Sequence, residues 1–155
     1  MNNEEKSLSI LDQNEASVRQ TLAKFLNLLY PNVKWASHTL RGFGKIDVFA
    51  TFPTRTYIIE IELKREDPVN NIAKIYRCLE EDSSEFQGKK VIFVHAFSPH
   101  YSEGGALTKR KNAEFIGNKM SEKYEDVAYL SIEFDSMKSL KNRVLSAIRS
   151  KYKNL

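Results

Sequence analysis

Ile46-Asp47-Val48-Phe49-Ala50-Thr51-Phe52 and, four residues later, Tyr57-Ile58-Ile59-Glu60-Ile61-Glu62-Leu63-Lys64 form the stretch whose reading decides the fold. Both runs are rich in β-branched and aromatic residues, and Pro53-Thr54-Arg55 between them is a hairpin-sized gap. The pair predicts two strands, near 45–52 and 56–64. Side chains alternate across a strand, so Glu60, Glu62 and Lys64 share one face while Tyr57, Ile59, Ile61 and Leu63 take the other. A hairpin brings Asp47 of the preceding strand beside this row, and three acids then surround one lysine.

Upstream, Val33 to Leu40 predicts a further strand, turned by Arg41-Gly42-Phe43-Gly44. Residues 1–13 read as a loose lead-in, Asn14 as a helix N-cap, and Tyr30-Pro31 as the end of that helix. Val18, Leu22, Phe25, Leu26 and Leu29 recur at helical spacing, and Glu15 lies on the same face. Downstream, Pro68 opens a helix to about Glu81 with Val69, Ile72, Tyr76 and Leu79 as its buried stripe, Lys74 and Arg77 facing elsewhere. Val91-Ile92-Phe93-Val94-His95-Ala96-Phe97 predicts a strand buried on both faces. A loop over 98–105, a helix near 107–123, a strand near 127–134 and a basic helix near 137–152 complete the chain. The order α-β-β-β-α-β-α-β-α implies a single α/β domain over 1–155, a three-layer sandwich around a mixed sheet.

The chain has 155 residues, 41% hydrophobic and 28% charged, a globular balance that excludes disordered and fibrous classes. A single cysteine, Cys78, excludes an internal disulfide and a multi-thiolate zinc site and fits a reducing compartment. No apolar run is long enough to span a membrane, and the polar start lacks a signal-peptide pattern, so a cytoplasmic, soluble protein is expected. Beyond Asp135 the chain carries Lys138, Lys141, Arg143, Arg149, Lys151 and Lys153 and no acid. Either a polyanionic partner or a solvated outer helix face accounts for that asymmetry. Among the three histidines there is no H-E-x-x-H spacing. His95 reads as a satisfied core residue, and His100 as a loop residue able to contact a substrate backbone. Gly42 and Gly44 read as a turn, and neither a Walker pattern nor a G-x-S-x-G elbow is present.

Carboxylates packed together disfavour one another's ionisation unless something positive sits among them. A hard divalent cation such as Mg²⁺ meets that need, and an ion of this kind can polarise a phosphodiester and activate water. The competing reading is an amphipathic strand with one wet face carrying ordinary exposed ion pairs. A sheet covered by helices on both sides leaves no room for such a face, which favours the first reading.

The arrangement resembles the PD-(D/E)xK, or restriction-endonuclease-like, nucleases over roughly residues 14–97. Their core is similar to α-β-β-β-α-β, with an acid on the second strand and (D/E)-x-K on the third, matched by Asp47 and by Glu62-Leu63-Lys64. Ile46 replaces the proline that gives the family its name. The resemblance implies a Mg²⁺-dependent deoxyribonuclease, more an endonuclease than an exonuclease, in which Mn²⁺ substitutes. Asp47 and Glu62 would be metal ligands with Glu15 of the first helix facing the metal. Lys64 would orient or help deprotonate the attacking water, or stabilise charge developing on the phosphorus oxygens. Glu60 would be a supporting acid, a ligand in register with Glu62, or part of a pair shifted by two. Lys74, on the helix after the motif, matches an assisting basic position. Arg41, Lys45, Lys74, Arg77 and His100 would meet DNA, and a homodimer is the simplest way for so small a chain to cut two strands. The alternative is a non-catalytic nucleic-acid-binding or assembly module with the same fold.

Overall fold

Asn14 starts the first helix by accepting the Ala16 and Ser17 amides at 2.9 and 3.3 Å, and Glu15–Leu29 (α1) follows. The computed structural model describes residues 9–64 and 67–150. Within the lead-in, residues 1–8 lie outside the described residues, but Ile10–Asp12 form a 3₁₀ turn whose Ile10 is buried, so that segment is docked rather than loose. Val18, Leu22 and Leu26 are buried as the spacing predicts, while Leu29 in the last turn is exposed.

Five strands follow: Ala36–Leu40 (β1), Gly44–Thr51 (β2), Arg55–Glu62 (β3), Lys90–Phe97 (β4) and Val127–Glu133 (β5). They form one mixed sheet in the order β1-β2-β3-β4-β5, antiparallel from β1 to β3 and parallel from β3 to β5. The helices Pro68–Glu81 (α2), Gly104–Lys123 (α3) and Met137–Ser150 (α4) complete the fold. Lys151 and Lys153 of the basic tail lie outside the described residues. Val18, Leu22, Leu140 and Val144 of α1 and α4 pack with Val48, Ile59 and Val94 in one core. Ile72, Ile75 and Met120 of α2 and α3 pack with Ile46, Ile58 and Phe93 in a second. Two such cores are compatible with helix, sheet and helix layers.

β3 is the middle strand, and every one of its residues is buried. Glu60 and Glu62 are 1% and 2% exposed, which overturns the reading of their row as a solvated face. Two local irregularities aim this region. Ala36 pairs with Phe49 but His38 with Ile46, so Asp47 and Val48 together oppose Ser37 in a β-bulge. The β2–β3 ladder covers only Val48–Thr51 against Thr56–Ile59 and stops at the bulge. Beyond it β2 parts from β3, and residues of both α1 and α2 line the gap. At its far end β3 stops at Glu62, two residues short of the expected span, because Ser98 ends the partner strand: its amide donates to Glu62 O and its hydroxyl to Leu63 O.

The α2 helix begins as expected, with Asp67 accepting the Val69 amide at 3.1 Å and Pro68 at the first position. Its buried stripe, however, is Asn71, Ile72, Ile75 and Cys78 rather than Val69, Ile72, Tyr76 and Leu79. That rotation turns Lys74 inward. α3 begins three residues early, at Gly104, and carries Gly117 against β5: a Cβ there would lie 2.5 Å from Cζ of Tyr129. Gly117→Ala is therefore expected to cost about 1–3 kcal/mol of stability, as other overpacked cores do, read as a lower urea midpoint at unchanged slope.

Candidate active site

The gap between β2 and β3 is a cavity of about 190 Å³ lined by Glu15 and Arg19 from α1, Lys45 and Asp47 from β2, Glu60 to Leu63 from β3, and Asn71 and Lys74 from α2. Four carboxylates and three cations thus share one small space. Asp47 is aimed there by the bulge. Its Oδ2 accepts the Ile61 amide at 2.8 Å, standing in for the strand carbonyl that the parted ladder no longer supplies, and Arg19 Nη1 donates to Oδ1 at 3.2 Å.

Lys74 enters from the opposite side. Its ammonium lies 2.5 Å from Glu60 Oε1, donates to Asn71 Oδ1 at 2.8 Å and also donates to the Lys45 carbonyl. Glu60 Oε1 is buried and, despite that ion pair, has no partner at hydrogen-bonding angles. Burial first, and then the charge of Asp47, hold the Glu60 carboxyl well above the usual carboxylate range, against the pull of Lys74. The folded state therefore keeps a proton that the unfolded chain, titrating near about 4.3, has released. Stability accordingly falls as pH rises from there through the folded-state value. Metal-free protein is expected to melt at a lower temperature near about pH 8 than near about pH 5, and Glu60→Gln should shrink that difference. An undiminished difference in the variant would place the titrating group elsewhere.

Glu62 is held by two donors on one oxygen. Asn71 Nδ2 donates to Oε1 at 2.5 Å, and His95 Nε2 lies 2.7 Å from the same atom. Glu15 is half-buried at the cavity wall, and its side chain makes no ion pair or hydrogen bond among the described residues.

The structure thus brings together Asp47, Glu60, Glu62, Glu15, Lys45 and Lys74. It does not bring in Lys64, which is exposed, beyond the end of β3, and lines an adjoining hollow with Asn14, Glu15, Arg19 and Leu63. Arg41 lies at the exposed β1–β2 turn, and Arg77 is tied to that turn, donating to Gly42 O at 2.5 Å with its guanidinium over Phe43. His100 is exposed on the 3₁₀ turn Pro99–Ser102 and does not line the cavity. Lys138, Lys141, Arg143 and Arg149 lie on α4, which packs on α1 and on the β4 and β5 side of the sheet.

Three participants escaped the sequence reading. Arg19 follows Glu15 by one helical turn, and Asn71 precedes Lys74 by three residues, so each was detectable as a neighbour once its partner was placed. His95 carried a clearer signal, since an imidazole inside an apolar run must find a partner, and here that partner is an acid of the motif.

Among the described residues no group of three or more His, Cys, Asp and Glu side chains is arranged as a metal cluster. Asp47 is turned to Arg19 and the Ile61 amide, and Glu60 to Lys74. The donor set is nonetheless one a hard cation accepts, all carboxylate oxygen. Among the described residues no helix is long and apolar enough to cross a membrane. No family model, curated protein or solved structure matches this chain.

Proposed function

We propose that the protein is a Mg²⁺-dependent nuclease of the PD-(D/E)xK type that hydrolyses DNA phosphodiester bonds, with α1-β1-β2-β3-α2-β4 as a restriction-endonuclease-like core. The observation that carries this reading is the convergence of Asp47, Glu60, Glu62 and Lys74 on one cavity at the parting of two strands, with Glu15 at its wall. Structural ion pairs alone would not require four acids in so small and buried a space, since each raises the cost of ionising the next.

Asp47 and Glu62 would hold the cation, Mg²⁺ or Mn²⁺ in its place, with Glu15 and Glu60 as supporting acids. When bound, the ion supplies Lewis-acid polarisation of the phosphodiester and a more acidic water. The ammonium that meets charge developing on the phosphorus oxygens is best assigned to Lys74, since it is the lysine among the acids with a side-chain nitrogen already bonded inside the cavity. Lys64, which lines the neighbouring hollow, would touch the backbone of a bound strand. Lys45 at the cavity wall, Arg41 and Arg77 at the β1–β2 turn and His100 at the end of β4 extend this surface. A homodimer would supply two such sites for two strands.

Purified protein incubated with single-stranded, duplex and branched DNA, and with RNA, in Mg²⁺ or Mn²⁺ tests the reading. Metal-dependent cutting of at least one DNA form is expected. Binding without cutting would instead assign the protein to the non-catalytic nucleic-acid-binding class.

A further inference from the structure

Behind the cavity lies a buried polar chain that plays no part in the site's lining. His95 is 0% exposed, with Nε2 facing Glu62 Oε1 at 2.7 Å and Nδ1 facing the Tyr129 hydroxyl at 2.9 Å. Phe93 and Phe97 pack its ring, with centroids 5.4 and 4.3 Å away. An apolar side chain would fill this place in the run from Val91 to Phe97 with no desolvation cost, so the imidazole is accounted for by what it bonds to. An ionised Glu62 can only accept, so the ring nitrogen facing it, Nε2, carries the proton. Nδ1 of the neutral ring is then an acceptor for the Tyr129 hydroxyl, which burial keeps protonated. Tyr129 is itself wedged against Gly117, where no side chain competes with its ring. Both donors to Glu62, Asn71 and His95, go to Oε1, and among the described residues Oε2 takes no hydrogen bond.

We infer that His95, braced by Tyr129, is a positioning residue that fixes the Glu62 carboxylate with Oε1 engaged and Oε2 available to a divalent cation, so that metal affinity depends on a histidine outside the cavity. This rests on the reading of the cavity as a metal site. Partners that orient metal-ligating carboxylates commonly govern affinity by about 10–100-fold.

Mn²⁺ titration by calorimetry, without DNA, tests the inference on the full chain, with melting in chelator as the check on folding. His95→Leu is expected to weaken Mn²⁺ binding by roughly 10–100-fold. His95→Gln, which keeps a donor, should recover most of the loss, a rescue that packing alone would not produce. Tyr129→Phe removes one hydroxyl and should weaken binding about fivefold, the weight of one hydrogen bond. Unchanged affinity in a folded His95→Leu, equal weakness of the Leu and Gln variants, or unchanged affinity in Tyr129→Phe would each overturn it, the last even if the leucine variant does not fold. Wild-type protein that binds no Mn²⁺ at a site lost in Glu62→Ala would overturn the metal-site reading as well, which separates the two failures.

Discussion

Replacing Lys74 by methionine is expected to lower Mg²⁺-dependent DNA cleavage by about 10²–10³-fold, the scale of losing one preorganised charge that meets the transition state. Lys64→Met should cost less than about tenfold, the weight of one rim contact to the substrate backbone. The contrast follows from placement. Lys74 is half-buried, bonded to Asn71 and paired with Glu60, whereas Lys64 is exposed beyond the end of β3. A side chain of similar length without charge keeps the packing of α2 on β3 and removes only the ammonium. The loss should fall on kcat rather than KM, because the interaction is one that strengthens as charge develops. The opposite ranking, a large loss at Lys64 and a small one at Lys74, would return the lysine of the E-x-K run to the reacting centre and require that segment to move on binding.

The second large effect concerns Asp47. Wild-type protein at a cation concentration about 100 times the dissociation constant should gain about 2.7 kcal/mol, a rise in melting temperature of roughly 5–10 °C for a chain of this size. Asp47→Asn should abolish most of that increment and the cleavage with it. The asparagine keeps a carbonyl oxygen able to accept the Ile61 amide, so the parted strand end remains satisfied while the charge is removed. Asp47→Ala would confound the two, leaving a buried amide without a partner at a cost of about 1–3 kcal/mol even without metal. Loss of the ion pair with Arg19 adds little, because both side chains are partly exposed. A metal-dependent increment that survives in Asp47→Asn would remove Asp47 from the ligand set.

Local chemistry made much of the fold legible. Asn14, Pro31 and Pro68 punctuate helices for reasons that lie within a few residues of each, and the period-two pattern of Tyr57 to Leu63 specifies a strand whatever surrounds it. Three features were not legible because they depend on partners far along the chain. The bulge at Asp47 and Val48 exists only in the register with β1. The end of β3 at Glu62 is set by Ser98, where β4 stops. The rotation of α2 follows from the acids it covers: a hydrophobicity pattern counts Asn71 and Lys74 as outward residues, but buried carboxylates on β3 attract precisely those two. The same non-locality hid the role of His95, which reads as core from its neighbours in sequence and as a brace for Glu62 only across the β3–β4 pair.

These features tie one claim together, that the buried acids exist to do chemistry. The most direct measurement is initial-rate cleavage of labelled DNA by purified wild-type protein and by Glu62→Gln, with Mg²⁺ and with chelator in its place. Cleavage by the wild type that requires the metal and disappears in Glu62→Gln is the predicted result. Cleavage that persists in the variant, or a wild type that cuts no form of DNA while folded and supplied with metal, would contradict it.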